Sequence, residues 1–594
     1  MWLAGFVRDN KPLFLFLIPP VLLLPLVIIG NSQQSNCAYG LILMAFYWTT
    51  EALPVSITAL LPVALFPIMG VGKVAPIASK YFNPTIFNLI GALTVAIAIE
   101  RWGVHKRFAL RFLLVFGTTP SWLILGFMLS TFTLSMWLLN IPTTAMMVPI
   151  AQAVLTKLLA PEFSQQTADK LSGTTAEITP MDGAVEVIDM LRVEINQERV
   201  TDSTTTVVRP TSAEAEEFNY EALDPESQRI CKATMLGVCY AANCGGIAVL
   251  TGTAPNLVMK AHADMISDGQ SGITFASWFI FSFPVALISV LLAWLCLQVV
   301  FLGPRSIFRP SAAVNSKKAK QCLREQYQQL GKLSFAEKAV LAHLVALVLA
   351  WFTIDPGFVP GWGSLFRKGY MGGAVPSILI ASLLFVFPSS RRRNRDIDPS
   401  RRTLLDWDTL NRKFPWGVTL LMGGGFALAH TCKESGLSLW LANQMTGLVG
   451  VPNWALVSIV CLMVSLCTEV AGNTAICSIF MPILSDLGNA VGTNPVFFML
   501  PAAITTSFAF MLPVATPPNT IAFSYGYLRI IDMVKVGWLI NLLCVTVVSI
   551  AVNTLGMAYF HFDVLPEWAK LAEITSQNLT STIYSIVNRT TPAF

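Results

Sequence analysis

The organisation of this chain is set by thirteen residues, LLNIPTTAMMVPI at Leu138–Ile150, which place an asparagine and two prolines in an otherwise apolar run. Proline lacks a backbone N–H and clashes with the preceding helical turn, so a helix is interrupted at Asn140-Ile141-Pro142. A second stretch, GNTAICSIFMPI at Gly472–Ile483, has the same design, with its asparagine nine residues before a proline. The chain therefore contains two broken apolar segments of one kind.

Composition places the chain among polytopic membrane proteins. Of its 594 residues 54% are hydrophobic and 12% are charged, about half the charged share of a soluble domain. Several apolar runs approach the roughly 20 residues that cross a bilayer. The first, Leu13–Gly30, is longer than a signal-peptide core and is interpreted as a retained helix. The formal net charge of +5 forms no basic stripe, so nucleic acid is not an expected partner.

An internal duplication relates the two halves. The asparagines of the two stretches are 333 residues apart, and so are Gly91 and Gly424, each followed by another glycine twelve residues on. The segments GTAPN at Gly252–Asn256 and ATPPN at Ala515–Asn519 are 263 residues apart, which is 70 fewer. An acidic stretch of about that length lies in the first copy alone. One duplication and one insertion account for all these matches.

Charge predicts the orientation in the membrane. The basic segments Arg305–Lys332 and Arg391–Arg402 are expected to face the cytoplasm. The sequons at Asn578 and Asn588 predict a glycosylated, extracytoplasmic C-terminal tail. Residues 161–229 carry fifteen acidic against five basic side chains and are interpreted as a cytoplasmic loop. A multi-pass protein of the plasma membrane, with a cytoplasmic N-terminus and an extracellular C-terminus, is expected.

These features divide the chain into six parts. Residues 1–159 are the N-terminal part of the first repeat, 160–229 the acidic cytoplasmic insertion, and 230–303 the C-terminal part of the first repeat. Residues 304–336 form a basic cytoplasmic linker, 337–560 the second repeat, and 561–594 the extracytoplasmic tail.

Broken helices in a repeated pattern indicate a secondary transporter. In hydrocarbon every backbone N–H and C=O needs a partner, so an interrupted helix survives where it lines a protein-enclosed or watery cavity. Freed carbonyls can hold a cation there, and the half-helix N-termini, with their partial positive charge, can hold an anion. The plain alternative is a proline kink in an ordinary helix, but it does not explain why Asn and Thr recur beside both breaks.

Along nearly its whole length the chain resembles the divalent anion/sodium symporter family, which includes sodium-coupled dicarboxylate, citrate and sulfate cotransporters. Eight segments carry the resemblance: Tyr47–Gly70 (YWTTEALPVSITALLPVALFPIMG), His105–Arg111 (HKRFALR), Leu250–Val258 (LTGTAPNLV), Ser334–Val340 (SFAEKAV), Asp355–Trp362 (DPGFVPGW), Pro415–Ala429 (PWGVTLLMGGGFALA), Glu434–Ser438 (ESGLS) and Ser507–Asn519 (SFAFMLPVATPPN).

The resemblance implies an all-α polytopic membrane protein with two inverted repeats, re-entrant hairpins and broken helices, working as an elevator-type transporter and usually a homodimer. It implies sodium-coupled symport of small divalent anions, most simply di- or tricarboxylates such as succinate or citrate, with sulfate as an alternative. Sodium ions are the expected coupling ions, with no organic cofactor and no enzymatic activity.

The sequence departs from the family where substrate is expected to bind. Each repeat of the family carries a Ser-Asn-Thr-type tripeptide at its hairpin tip, which falls here on Leu139-Asn140-Ile141 and on Gly472-Asn473-Thr474. Three hydroxyl groups are therefore missing. Each hydrogen bond to a charged group contributes about 1.5–3 kcal/mol, so a transport-impaired or uncoupled member is a second hypothesis.

The resemblance assigns candidate residues to both kinds of ligand. Substrate-binding candidates are Asn140, Thr143, Asn473, Thr474 and Thr516. Sodium-binding candidates are Asn140, Gly245, Gly246, Thr251, Asn256, Asn473, Thr516 and Asn519. Glu469 stands in an apolar segment, where an acid is either functional or paired with a buried donor. A charged surface at the membrane boundary is expected for Glu100, Arg101, His105, Lys106 and Arg107.

A membrane enzyme is the third hypothesis, and the sequence offers it no support. The eleven cysteines form no CxxC pair, and the five histidines have no metal-ligand spacing. Most of the cysteines lie in apolar runs, where Cys is usually a small core residue.

Overall fold

The computed structural model describes residues 11–50, 52–116, 120–159, 220, 223–303, 316–356, 359–367, 370–390, 402–437, 440, 444 and 450–569. The regular elements within these ranges are all helices, without a β-strand, which confirms the all-α prediction. Most of the acidic insertion and both sequons, Asn578 and Asn588, lie outside the described residues.

The helices of the N-terminal half are α1 (Lys11–Gly30), α2 (Gln33–Thr50), α3 (Val55–Thr58), α4 (Leu61–Ile68), α5 (Val74–Ala78), α6 (Pro84–Arg101), α7 (Val104–Phe116), α8 (Pro120–Ser135), α9 (Asn140–Leu159), α10 (Pro225–Ile247), α11 (Ala254–Ser267) and α12 (Phe275–Leu297). A π-helical segment, Gln298–Leu302, continues α12.

The helices of the C-terminal half are α13 (Ser316–Gln329), α14 (Phe335–Ile354), α15 (Ala374–Val386), α16 (Trp407–Lys413), α17 (Trp416–Glu434), α18 (Asn453–Thr468), α19 (Asn473–Val491), α20 (Val496–Thr505), α21 (Pro517–Ser524), α22 (Ile530–Ala551) and α23 (Met557–Phe560). The π-helical segment Val552–Gly556 joins α22 to α23.

Six of the described helical stretches are long and apolar enough to cross a membrane. They are Leu13–Gly30, Val74–Arg101, Phe275–Leu302, Phe335–Ile354, Asn473–Val491 and Ile530–Phe560. The first has 6% of its residues buried inside the protein. Its apolar side chains have little protein to pack against, as expected for a helix that faces lipid.

The interval of the sequence repeat recurs in the helix boundaries. Helices α8 and α18 begin 333 residues apart and also end 333 residues apart, and α9 and α19 begin at the same interval. Each pair is a short helix, a break of four residues, and a longer helix that begins at the repeated asparagine. The two halves therefore build the same helical hairpin from different side chains.

The repeated glycines pack the two halves against each other. A Cβ on Gly91 of α6 would collide with Ser377 of α15, and a Cβ on Gly424 of α17 would collide with Ala59, which follows α3. Each glycine thus allows a helix of one half to approach the backbone of the other. Gly103 and Gly436, twelve residues further on, both have positive φ and end their helices in the left-handed conformation that glycine favours.

Ion pairs join the helix ends near the basic segments, and they correct one expectation. Arg107 is 8% exposed and donates to Glu337, at 3.1 Å, and to the carbonyls of Leu330 and Gly331. A surface role for Arg107 is therefore wrong, because α7 packs this guanidinium beneath the start of α14. Arg101 pairs with Asp406 in the same region.

Candidate functional site

The first hairpin has its tip between α8 and α9. Ser135 Oγ lies 2.7 Å from Asn140 Oδ1 and 2.8 Å from the carbonyl oxygen of Ala242, so one hydroxyl proton serves two acceptors. This places the end of α8 and the start of α9 against α10. Asn140 is half-buried, which suits a residue that closes the helix break.

The second hairpin repeats this arrangement with a threonine. Thr468 Oγ1 lies 2.8 Å from Asn473 Oδ1 and 2.8 Å from the carbonyl oxygen of Thr506. Ser135 and Thr468 occupy equivalent positions, five residues before their asparagines. A hydroxyl at this position fixes the side-chain oxygen of the asparagine in both halves.

The two halves meet in a short chain of hydrogen bonds. Asn140 Nδ2 donates to Asn243 Oδ1 at 3.4 Å, and Asn243 Nδ2 donates to Thr516 Oγ1 at 3.3 Å. Nearby, Tyr240 Oη donates to the carbonyl oxygen of Phe510 at 2.8 Å. The first hairpin tip is thereby connected to the broken region of the second half, which brings the two repeated segments together inside the protein.

Each half contains an unwound segment between two helices, and an asparagine spans it. Asn256 Nδ2 donates to the carbonyls of Gly246 and Val249 at 3.0 and 2.9 Å. Asn519 Nδ2 donates in the same way to Ala509 and Leu512, at 2.8 and 3.0 Å. In both halves, therefore, an asparagine NH₂ group donates to two backbone carbonyls in or next to the unwound segment.

The oxygen of each amide has no partner among the described residues. Asn256 Oδ1 and Asn519 Oδ1 are buried, and no described residue donates a hydrogen bond to either. A buried acceptor without a donor is unfavourable unless something else compensates it. Amide and backbone carbonyl oxygens are suitable ligands for a hard cation, and unwound carbonyls coordinate Na⁺ in other transporters with broken helices. The residues present fit a sodium ion beside each unwound segment.

Glu469, at the tip of the second hairpin, is buried and fully occupied. Its carboxylate accepts from the backbone N–H groups of Phe510, Met511 and Leu512 at 2.8–3.1 Å and from Asn541 Nδ2 at 2.6 Å. The buried-donor alternative is therefore the one observed. The carboxylate satisfies donors that the unwound segment released, and it fixes that segment to α22.

The glycines expected at the first sodium site permit close approach. A Cβ on Gly246 would lie 2.6 Å from Asn140 Oδ1, and a Cβ on Gly245 would collide with the carbonyl oxygen of Phe132. Only a residue without a side chain lets α10 approach the hairpin tip this closely. Thr251 is half-buried in the adjoining unwound segment.

The three threonines predicted to bind substrate differ in their surroundings. Thr143 is fully buried, and its Oγ1 has no partner in the described part of the chain. Thr474 is half-buried one residue after Asn473, and its carbonyl accepts from Ser478 at 2.8 Å. Thr516 is 2% exposed and precedes the first residue of α21, and its Oγ1 accepts from Asn243.

The positions that lost hydroxyls lie at the hairpin tips. Leu139 is half-buried, Ile141 is 46% exposed, and Gly472 is exposed. An exposed isoleucine beside Asn140 offers no hydrogen bond. The backbone N–H groups at the start of α9 and α19 remain as donors for an anion.

Sequence reasoning missed three residues of this network, Ser135, Asn243 and Thr468. It also missed Ser507, whose buried Oγ lies in the second unwound segment and has no partner among the described residues. The duplication held a usable signal, because Ser135 and Thr468 are hydroxyl residues at the 333-residue interval. Asn243 had only a weak signal, a polar amide in the apolar end of α10 just before Gly245-Gly246.

Comparison with known proteins identifies the family. A family profile described as "Sodium:sulfate symporter transmembrane region" matches residues 10–561. The chain belongs to this sodium/anion symporter family. The match extends from α1 to the end of the described helices, so the two hairpins and both unwound segments lie inside it.

Curated relatives of this symporter match over nearly their whole length. The chain is 39% identical to the Na(+)/citrate cotransporter of Rattus norvegicus, in an alignment that covers 96% of this chain and 99% of the relative. It is 40% identical to solute carrier family 13 member 2 of Homo sapiens, in an alignment that covers 97% of this chain and 96% of the relative. It is 37% identical to the Na(+)/dicarboxylate cotransporter 3 of Homo sapiens, covering 98% of each chain.

Proposed function

We propose that this chain is a sodium-coupled symporter of small dianions, with di- and tricarboxylates of the succinate and citrate type as substrates. The observation that carries the proposal is a pair of buried amide oxygens, Asn256 Oδ1 and Asn519 Oδ1, at equivalent positions of two unwound segments, neither with a partner in the described part of the chain. Relatives named as citrate and dicarboxylate cotransporters support the substrate class.

The helix ends supply the anion site. Helices α9 and α19 begin at Asn140 and Asn473, so each hairpin tip presents the partial positive charge of a helix N-terminus. A dianion between these tips would be neutralised by sodium ions held beside the unwound segments. Binding of the anion and the cations then becomes mutually dependent, which is the requirement for symport.

By the positive-inside rule we expect the two hairpins to enter from opposite sides of the membrane. With the basic segments 305–332 and 391–402 in the cytoplasm, α8 and α9 enter from the cytoplasmic side, and α18 and α19 enter from the opposite side. This arrangement gives inverted repeats, a cytoplasmic N-terminus and an extracytoplasmic tail. A homodimer in the plasma membrane that transports by an elevator motion completes the proposal.

Uptake into cells tests the function directly. Labelled succinate, citrate and sulfate are offered in sodium medium and in medium where choline replaces sodium, with surface biotinylation to measure delivered protein. We expect sodium-dependent uptake of succinate or citrate. Uptake of sulfate alone would contradict carboxylates as the substrates and indicate sulfate instead. Equal uptake in choline medium would contradict sodium coupling.

Absence of all three uptakes, with protein at the surface, would favour the second hypothesis. The exposed Ile141 and the missing hydroxyls at Leu139 and Gly472 are the observations behind that alternative. The chain would then have kept the fold of its family and lost or changed its transport.

A further inference from the structure

Two buried cysteines from different halves touch each other. Cys37 of α2 and Cys432 of α17 are 0% and 3% exposed, and their Sγ atoms are 3.7 Å apart. Other buried cysteines contact carbonyl oxygens instead, such as Cys239 with Leu236 and Cys477 with Pro255. A sulfur–sulfur contact across 395 residues of sequence therefore distinguishes this pair.

The pair lies where the start of α2 meets the end of α17. Cys37 is the fifth residue of α2, and Cys432 stands two residues before the end of α17 at Glu434. A Cβ on Gly436, just beyond α17, would lie 3.5 Å from Gln34 in the first turn of α2. The start of one helix therefore adjoins the end of the other.

The proposed topology puts this pair outside the cytoplasm. Helix α17 begins shortly after the basic segment 391–402, which carries six arginines, so its other end is extracytoplasmic. Helix α1 crosses from the cytoplasmic N-terminus to the start of α2, which places Cys37 on the same side. Disulfides form and persist in the oxidising compartments on that side.

We propose that Cys37 and Cys432 form a disulfide that joins the first repeat to the second; the proposal rests on the topology given under the proposed function. The two sulfur atoms would approach from 3.7 Å to a bond of about 2.05 Å. Each is already inside the packed cluster that α2 and α17 share.

The chemistry requires an oxidant, and the secretory pathway supplies one. Both thiols lose a proton, and their two electrons reduce the active-site disulfide of a thiol oxidoreductase to a dithiol, by exchange through a mixed disulfide. Because both sulfur atoms are buried in the finished fold, this exchange takes place while α2 and α17 are docking.

The cross-link would stabilise the part of the fold against which the second hairpin rests. Helix α17 contacts Ala59 through Gly424 and the hairpin helix α19 through Gly425 and Ser478. Fixing the end of α17 to α2 holds these close backbone contacts in register.

Differential alkylation of the full-length protein tests the proposal. Protein made in eukaryotic cells is treated under denaturing conditions with N-ethylmaleimide, then reduced, then treated with iodoacetamide, and its peptides are analysed by mass spectrometry. We expect Cys37 and Cys432 to carry the iodoacetamide label. Cys461, which is buried and contacts no sulfur atom of the described residues, is the internal control and should carry N-ethylmaleimide.

N-ethylmaleimide on both Cys37 and Cys432 would overturn the proposal. A parallel glycosidase digestion reports whether the tail is extracytoplasmic, so a failed disulfide is distinguishable from a wrong topology. Uptake is not a readout here, so the outcome is independent of whether the chain transports.

Variants separate a bond from simple packing. Cys37→Ser, Cys432→Ser and the double variant should lower the thermal midpoint by the same amount, because each removes the one disulfide. Additive decreases would contradict the bond and indicate two independent packing contacts. Cys461→Ser measures the effect of burying a serine in place of an unbonded cysteine.

Discussion

The two unwound segments are equivalent in sequence position and different in how they are held. The first runs for six residues, from Ala248 to Thr253, and the second for eleven, from Thr506 to Thr516. Both are spanned by one asparagine amide. The longer segment releases more backbone donors.

Glu469 satisfies those extra donors in the second half, and the equivalent position of the first half is Met136. The first half depends instead on close backbone approach, since Gly246 lies against Asn140, whereas the equivalent of Gly246 in the second half is Ala509. The repeated unwound segment is thus held by a buried carboxylate in the second half and by close packing of the backbone in the first.

The largest effect is expected at Glu469. In Glu469→Gln one acceptor oxygen is replaced by an NH₂ group, which cannot accept from the backbone N–H groups of the unwound segment. Each buried donor left unsatisfied costs about 1–3 kcal/mol. We expect a large fall in thermal stability and in surface protein, measured by a fluorescence melt and by biotinylation. The matched control is Met136→Leu, which keeps volume at the equivalent position. Equal stability of the two variants would show that the carboxylate does not hold the second segment.

Gly246→Ala should abolish most transport with a smaller loss of stability. The added methyl would lie 2.6 Å from Asn140 Oδ1 and displace the first hairpin tip, an overpacking that typically costs about 1–3 kcal/mol. Sodium-dependent uptake per surface protein is the measurement. Ala509→Gly, its counterpart, should transport normally. Normal uptake by Gly246→Ala would mean that the close approach is not needed.

Asn256→Ala should destabilise more than Asn519→Ala, because Glu469 still holds the second segment after its amide is lost. The difference should be about 1–3 kcal/mol, the range for buried groups left without partners. Thermal melts at several sodium concentrations provide the measurement. Both variants should also show less stabilisation by sodium. A larger loss for Asn519→Ala would reverse the comparison.

Restoring hydroxyls at the first tip should produce a moderate gain. Leu139→Ser with Ile141→Thr adds donors for a carboxylate, each about 1.5–3 kcal/mol when the partner is charged. The apparent affinity for the transported anion should rise roughly tenfold or more. Concentration-dependent uptake measures it, with Val148→Thr as a control β-branched change away from the tip. An unchanged affinity would show that other groups already replace the missing hydroxyls.

Deleting residues 165–215 should have the smallest effect. This change removes most of the insertion that the second half lacks and leaves Asp224 in place to cap α10 through Glu226 and Ser227. Uptake per surface protein should be unchanged. Loss of uptake by surface-delivered protein would assign the insertion a role beyond that of a loop.

Duplication leaves a trace in the order of residues, and from this trace the sequence predicted the repeated elements. Asn140 and Asn473, which begin the second helix of each hairpin, lie at one repeated interval, and Asn256 and Asn519, which span the unwound segments, lie at another. Their roles as ligands stay predictions. Asn243 could not be found in this way, since its importance comes from contacts with Asn140 and Thr516 in two distant segments.

By itself the sequence determined a membrane-spanning, all-α, duplicated chain, because hydropathy, chain breaks and repeats are local properties that are written in residue order. The tertiary structure alone decided that Glu469 binds an unwound backbone, that Arg107 is buried against Glu337, and that Cys37 meets Cys432. The partner of a buried polar or sulfur-bearing side chain depends on which helices pack side by side, and the burial that makes such a partner necessary does not exist before they pack.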